Sequence, residues 1–105
     1  MSYKVVPSKL FTRHLKNLSS RLNLSRQAAL EVIFEIKEAI KLLEEHGTLP
    51  EGYQLHELEK EPWLNYMEFH ILEDVLVVYF DRNSKNVIRM VGIYNHELLN
   101  SGKLD

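Results

Sequence analysis

The stretch that decides the fold runs from Leu64 to His96 and reads LNYMEFHILEDVLVVYFDRNSKNVIRMVGIYNH. It holds three β-type runs, at residues 64–72, 75–80 and 86–94, joined by two short polar turns. The turns consist of residues that favour chain reversal. The middle run is apolar throughout, as is typical of a central strand covered on both faces. The stretch therefore predicts a three-stranded antiparallel meander.

The residues before the meander predict a strand and two helices. A short strand at Tyr3–Val6 is followed by Pro7, and an apolar stripe at helical spacing begins after Ser8 and continues to Leu22. A longer amphipathic helix is predicted from Arg26 to about His46, between a capping serine and a glycine. These two helices form a hairpin whose apolar side has only the sheet to cover.

Residues 53–58 alternate apolar and polar side chains and predict one more strand before the meander. The element order is then β-α-α-β-β-β-β. Helices early and strands late indicate an α+β fold, with the helical hairpin on one face of a largely antiparallel, twisted sheet. The opposite face is predicted to be a free, concave and polar working surface.

Length and composition narrow the protein class. The 105 residues fit one domain, 1–105, and include no cysteine, so disulfides and thiolate metal sites are excluded. We see no secretory signal and no apolar run of membrane-spanning length, which fits a cytoplasmic protein. The charge is uneven: residues 1–30 carry six basic and no acidic side chains, whereas 31–74 carry twelve acids and three lysines. The basic part permits contact with nucleic acid or an acidic partner, although a solvated helix face explains it equally well.

Alternation along residues 64–72 places Tyr66, Glu68 and His70 on one face, opposite to the apolar residues between them. In the preceding strand, His56 is one of the polar residues that alternate with apolar ones. Asp74 lies in the turn after His70. We expect these side chains to line the face of the sheet that carries no helices.

His96, just past the last strand, completes the set of groups that can converge at one end of that face. Imidazoles beside carboxylates are the groups needed for proton transfer near neutral pH. Cleavage of RNA by its own 2′-hydroxyl requires only a base, an acid and stabilisation of the phosphate charge. Taken alone, His56 or His70 is as well explained as a surface residue. A zinc site of His56, His70, His96 and a carboxylate is an alternative, but the histidines lack local ligand spacing.

Several motifs together resemble the YafQ branch of the RelE/ParE superfamily of bacterial toxins. They are Tyr53-Gln54-Leu55-His56-Glu57-Leu58, Tyr66-Met67-Glu68-Phe69-His70-Ile71 with Asp74-Val75-Leu76-Val77-Val78-Tyr79, and Val91-Gly92-Ile93-Tyr94-Asn95-His96-Glu97-Leu98-Leu99. The resemblance extends to the order of the two preceding helices and covers nearly the whole chain. It implies a RelE-like fold and the toxin half of a type II toxin–antitoxin module.

The resemblance also implies a function: cleavage of mRNA on the ribosome, with no metal or cofactor, and inhibition of translation. It implies inhibition by a cognate antitoxin, a DinJ-like ribbon-helix-helix protein, in a toxin–antitoxin hetero-oligomer. By position in the motifs, His56, Glu68, His70, Asp74 and His96 are the predicted catalytic residues. His96 is the first candidate for proton transfer, and the two carboxylates would orient or stabilise an imidazole.

Substrate contacts are predicted for Tyr66 and Arg89. Many family members carry an arginine at the position of Gly92, and Arg89 is expected to replace it from a little earlier in the strand. The family is usually basic, whereas this chain has a net charge of −2. Two alternatives stay open: a non-nucleolytic toxin that binds another target, as ParE toxins do, and a degenerate toxin retained only as the partner of an antitoxin.

Overall fold

The computed structural model describes residues 3–72, 74–81 and 86–103. Within these ranges the chain forms five strands and four α-helices. In chain order they are β1 (Lys4–Pro7), α1 (Lys9–Lys16), α2 (Leu18–Leu22), α3 (Arg26–His46), a 3-10 turn (Glu51–Tyr53), β2 (His56–Glu57), β3 (Met67–Ile71), β4 (Val75–Phe80), β5 (Val87–Tyr94) and α4 (His96–Asn100).

The strands form one sheet in the order β1-β5-β4-β3-β2. Strands β2 to β5 pair antiparallel in sequence, whereas β1 lies parallel to β5. The predicted α+β architecture and the meander are confirmed. Strand β4 has the predicted bounds and is almost fully buried, as expected for a central strand. The turn predicted at residues 81–85 lies largely outside the described residues.

Local capping explains where α3 begins and ends. The side chain of Ser25 accepts a hydrogen bond from the Ala28 amide. At the other end Gly47 has φ +73° and donates its amide to the Leu43 carbonyl, which is the usual glycine termination of a helix. Both ends agree with the sequence-based prediction.

The helix predicted from Ser8 to Leu22 is instead two helices, with a break at Asn17. The Asn17 backbone leaves helical geometry, at φ −109° and ψ +23°, and its amide and its side chain both donate to the Arg13 carbonyl. Asparagine competes with the helix backbone for hydrogen bonds in this way. The apolar stripe continues across the break because Leu18 and Leu22 stay buried.

The main core lies between the helices and one face of the sheet. Phe69 from β3, Val77 from β4 and Met90 from β5 are fully buried on this face. They pack with buried side chains of α1, α2 and α3, which are Phe11, Leu18, Leu22, Ala29, Val32, Ile36, Ala39 and Leu43. The helical hairpin therefore covers the sheet as the sequence predicts.

A second, smaller core lies on the opposite face and contradicts the prediction that this face is free. Trp63, from the loop between β2 and β3, packs there with Leu76, Val78 and Tyr94 of the sheet and Leu99 of α4. The Trp63 indole N–H donates to the Leu99 carbonyl at 2.9 Å. The predicted catalytic side chains on this face lie towards β2 and β3 and just past the end of β5, which confines the working surface to that side.

Side chains from the first two helices complete the hydrogen bonding of β5 where β1 ends. The Ser8 hydroxyl donates to the Val91 carbonyl, and the Arg21 Nε–H donates to the Ile93 carbonyl. The Ile93 amide donates to Nδ1 of His14, which is buried. Backbone polar groups at a buried sheet edge must be paired, and the helices supply the partners.

The strand predicted at residues 53–58 is mostly wrong, because only His56 and Glu57 pair with β3. The residues before them form a 3-10 turn, and Gln54 has φ +52°. Tyr53 and Leu55 still pack on the main core, which explains the alternation. No helix among the described residues is long and apolar enough to span a membrane.

Candidate functional site

The site begins with one buried carboxylate between two histidines. Pairing of β2 with β3 places His56 opposite Glu68, and His70 follows Glu68 on the same face of β3. Nε2 of His56 lies 3.2 Å from Glu68 Oε1, and Nε2 of His70 lies 3.1 Å from the same oxygen. The Glu68 side chain is only 5% exposed, whereas that of His56 is 51% exposed. The buried acid thus holds two imidazoles that face solvent to different degrees.

The hydrogen-bond pattern restricts where the protons of this cluster lie. Nδ1 of His56 lies 3.1 Å from the Gln54 carbonyl, and a carbonyl only accepts. Nε2 of His70 is hydrogen-bonded to the Glu68 carboxylate, whereas Nε2 of His56 lies within ion-pair distance of it without the geometry of a hydrogen bond. A buried carboxylate needs such a partner, because an unpaired buried charge is costly. The three side chains are therefore close enough to exchange a proton.

A second carboxylate–imidazole pair lies at the end of the sheet. Oδ1 of Asp74 accepts hydrogen bonds from the backbone amide of His96 and from Nδ1 of its ring. Because Nδ1 is occupied, Nε2 is the nitrogen that can exchange a proton with a substrate. Hydrogen bonding and the imidazole together lower the pKa of the Asp74 carboxyl below its ordinary value.

The Asp74 pKa gives a prediction of pH dependence. Because the shift is downward, the stabilisation from its contact with His96 is complete above the ordinary pKa of 3.8 and is lost as pH falls through the lower, folded-state value. We expect a carbon-detected NMR titration to give a midpoint below 3.8 for Asp74, and a higher midpoint in His96→Ala, which keeps only the hydrogen bond from the residue 96 backbone amide. An unchanged midpoint in the variant would show that His96 does not cause the shift.

Two residues that sequence reasoning missed fix the position of His96, the first residue of α4. Asn95 caps this helix, since its side chain accepts a hydrogen bond from the Leu98 amide. Trp63 holds the same helix from the side through the Leu99 carbonyl. Asparagine before a helical turn is a recognisable capping signal, whereas nothing local in the sequence pairs Trp63 with Leu99.

The two carboxylate–imidazole groups meet at His70. Its ring centroid lies 5.9 Å from that of His96 and 6.0 Å from that of His56. The structure therefore brings all five predicted catalytic side chains into one row, ordered His56, Glu68, His70, His96, Asp74. A phosphate between His70 and His96 could have one imidazole near its attacking oxygen and one near its leaving oxygen, which is the arrangement of acid–base catalysis.

The two predicted substrate contacts lie apart from this row. Tyr66 directly precedes β3 and packs against Phe80, with ring centroids 5.0 Å apart, and against Trp63. Arg89 is exposed on β5, directly opposite Phe80. Tyr66 and Arg89 are on the same sheet face as the histidines but towards its other end, so a substrate would need to extend along β3 to reach both.

Gly92 is required by packing. A Cβ atom at this position would lie 2.5 Å from the Tyr94 hydroxyl, because the phenol folds back along β5 over the glycine. Trp63 and the Arg21 guanidinium pack against the same phenol ring, at 5.1 and 5.0 Å from its centroid. The space that a side chain at position 92 would take is thus filled by the Tyr94 phenol.

Within the described residues, one group has the geometry of a metal site. It consists of His56, Glu68 and His70, whose candidate ligand atoms all lie within 4.8 Å of one another. His96 is not part of this group. The zinc site considered from the sequence, which included His96 as a ligand, is therefore wrong for that residue. Two imidazoles and a carboxylate suit zinc or copper. The same nitrogen lone pairs would serve a metal or a proton, but not both at once.

Comparison with known proteins gives a consistent result. The sequence profile of the YafQ family, described as bacterial toxins of type II toxin–antitoxin systems, matches residues 3–101. No curated protein sequence matches the chain significantly. The structure of YafQ from E. coli strain BL21(DE3) is similar, with 21% identity and a TM-score of 0.68 over 92% of this chain and 97% of that one.

Two further structures resemble this one. In the E. coli DinJ–YafQ toxin–antitoxin complex, the matching chain is 19% identical, with a TM-score of 0.68 over 94% of this chain and 98% of that one. A copper-bound mutant toxin from Helicobacter pylori is 25% identical, with a TM-score of 0.62 over 94% of this chain and 99% of that one.

Proposed function

Because this chain belongs to the YafQ family of bacterial toxins from type II toxin–antitoxin systems, we propose that it is an endoribonuclease that cuts mRNA on the ribosome and thereby inhibits translation. The observation that carries the proposal is the row of three imidazoles and two carboxylates at one end of the sheet. A protein that only binds a target has no need of such a row. The toxin would act in the cytoplasm, where its substrate is.

The mechanism needs only groups of this chain. One imidazole takes the proton from the 2′-hydroxyl, whose oxygen attacks the adjacent phosphorus, and another gives a proton to the departing 5′-oxygen. We assign His96 to one of these transfers, with Asp74 holding its ring, and His70 to the other. Glu68 and His56 then return His70 to its starting protonation state, by giving a proton if His70 acted as the acid or by taking one if it acted as the base, since Glu68 Oε1 lies within 3.2 Å of both rings.

Dependence on the ribosome follows from how little of the site encloses a substrate. The His96 and Asp74 side chains are 57% and 62% exposed, and the site lies on an open sheet face. A flexible RNA loses much entropy when its scissile bond is aligned for attack, and a ribosome that already holds the mRNA removes that cost. The basic side chains of α1 and α2 offer a surface for ribosomal RNA. Tyr66 and Arg89 are proposed to contact the mRNA beyond the cut.

We propose a cognate antitoxin as the protein partner, of the DinJ-like ribbon-helix-helix class, in a hetero-oligomer that silences the toxin. The similarity to the toxin chain of the DinJ–YafQ complex supports this assignment. Free toxin would then appear only when the antitoxin is removed.

The test is to induce the wild-type chain in bacteria and to map mRNA 5′ ends. Growth arrest with new ends in frame within translated messages is expected, together with no cleavage of the same RNA by purified protein in the absence of ribosomes. Arrest without new ends would favour a ParE-like toxin that binds another target. No arrest would favour a degenerate toxin whose remaining role is antitoxin binding.

Metal ions provide a further prediction. We expect cleavage in a translation extract to survive the chelation of zinc and copper, because proton transfer uses no metal. Added Zn²⁺ or Cu²⁺ should inhibit it by occupying the lone pairs of His56 and His70 beside Glu68. The copper-bound toxin from H. pylori supports binding of such an ion. Isothermal titration calorimetry should show one site, weakened at least about tenfold in His56→Asn because one of three ligands is lost. Loss of activity on selective chelation would contradict metal-independent cleavage.

A further inference from the structure

Three large apolar side chains are more than half exposed and lie together, outside the catalytic row. Leu30 and Phe34 are one turn apart on α3 and are 55% and 61% exposed, and Leu72, after β3, is 58% exposed. With Glu31 and Glu35 they line a groove between α3 and the turn that follows β3, which we call the α3 groove. Clustered exposed apolar side chains usually mark a binding surface.

The charges of the α3 groove select the kind of partner. Glu31 and Glu35 are one helical turn apart, a spacing of like charges that mildly destabilises a helix. In the described part of the chain, no cation lies within ion-pair distance of either carboxylate, and the nearby Lys41 pairs with Glu38. Unneutralised carboxylates repel RNA phosphates, so the α3 groove is not a ribosomal RNA contact. They favour a partner that brings lysine or arginine.

The shape of the α3 groove selects the form of that partner. Leu30 and Phe34 stand at i and i+4 on α3, and Leu72, just after the end of β3, lines the same groove. An amphipathic helix laid in such a groove buries its apolar side chains against this ridge, while the basic residues beside its apolar face reach the two glutamates. Apolar area supplies affinity, and the charges fix orientation and specificity.

We propose that the α3 groove binds an amphipathic helical segment of the cognate antitoxin, with lysine or arginine flanking its apolar face. The inference rests on the proposed antitoxin partner and adds where and how that partner binds. Because Leu72 is two residues from Asp74, an occupant of the groove also contacts the turn that carries the carboxylate of the Asp74–His96 pair. The antitoxin would thereby reach the site without covering it.

The test compares variants of exposed residues, whose replacement leaves the core unchanged, by calorimetric titration with the purified antitoxin. We expect Phe34→Ser and Leu30→Ser each to weaken binding at least about tenfold, as anchors of an interface do. Leu64→Ser, at the other exposed leucine, should stay within about twofold of wild type. Glu31→Lys should also weaken binding, and the wild-type affinity should fall as ionic strength rises from about 0.05 to about 0.5 M.

Two results would overturn the proposal. One is an antitoxin affinity that is unchanged in both serine variants. The other is self-association of the wild-type chain in sedimentation experiments that Phe34→Ser abolishes while antitoxin affinity stays the same, which would make the groove a contact between copies. Antitoxin binding is measured separately from mRNA cleavage. If the wild-type chain fails to cut mRNA but Phe34→Ser weakens antitoxin binding, the nuclease proposal is wrong and the proposal for the α3 groove stands.

Discussion

Replacing His96 by alanine is expected to lower the rate of mRNA cleavage by about 10²–10⁴-fold, the usual contribution of a general acid or base. The imidazole is 57% exposed, so its removal costs little packing and the variant should fold normally. The reason for the loss is that Nε2 of His96 is the nitrogen left to transfer a proton once Asp74 holds Nδ1. The measurement is the rate of appearance of new 5′ ends on a translated message in an extract.

His46→Ala is the matched control, since this histidine is also exposed but lies at the end of α3 with Glu45 as its neighbour. It should cleave at the wild-type rate. Cleavage by His96→Ala within about threefold of wild type would remove His96 from proton transfer. A wild-type rate that stays flat from mild acid to mild base would count against imidazole catalysis altogether, because histidine changes charge in that range.

Trp63→Ala is expected to lower the free energy of unfolding by about 3–5 kcal/mol, as for other buried tryptophans. The indole fills the second core between Tyr94, Leu76 and Leu99, and no other described side chain replaces its hydrogen bond to the Leu99 carbonyl. Trp63→Phe keeps most of the packing and should lose only about 0.5–1.5 kcal/mol, because the Leu99 carbonyl still accepts a hydrogen bond from the Gly102 amide. Urea unfolding followed by circular dichroism measures both changes.

The neighbouring Leu64→Ala provides the control, since Leu64 is exposed and should change stability by less than about 0.5 kcal/mol. Equal losses at the two positions would mean that the second core does not depend on Trp63. Trp63→Phe should also cut mRNA more slowly at saturating substrate. The reason is that α4, which begins with His96, loses the hydrogen bond from Trp63 that helps to hold it in place.

The sequence predicts those parts of the fold that local chemistry decides. Strand β4 is recognisable because an apolar run of six residues between turns is typical of a central strand. The ends of α3 follow from Ser25 and Gly47, whose capping roles depend on only a few neighbouring residues. The alternation along β3 likewise places Glu68 and His70 on one face, before any contact between them is known.

What the sequence does not predict depends on partners distant in the chain. Trp63 appears as an isolated aromatic residue in a loop, and only the tertiary structure places it against α4, 36 residues away. The strand predicted at residues 53–58 shortens to two residues mainly because a 3-10 turn ends at Tyr53 and Gln54 has φ +52°, so pairing with β3 starts only at His56. The burial of Glu68 between His56 and His70 depends on the pairing of β2 with β3, which the alternation of polar residues cannot reveal.

The two outer strands of the sheet limit how another protein can join it. Strand β2 offers two residues, and β1 offers four, beginning with an exposed lysine and ending with a proline that has no amide to donate. Beyond β1, the edge of β5 is already occupied by Ser8, His14 and Arg21. Short edges of this kind resist strand addition and the edge-to-edge aggregation that follows from it. A partner must therefore recognise side-chain surfaces, and a toxin freed from its antitoxin should stay dispersed while it works.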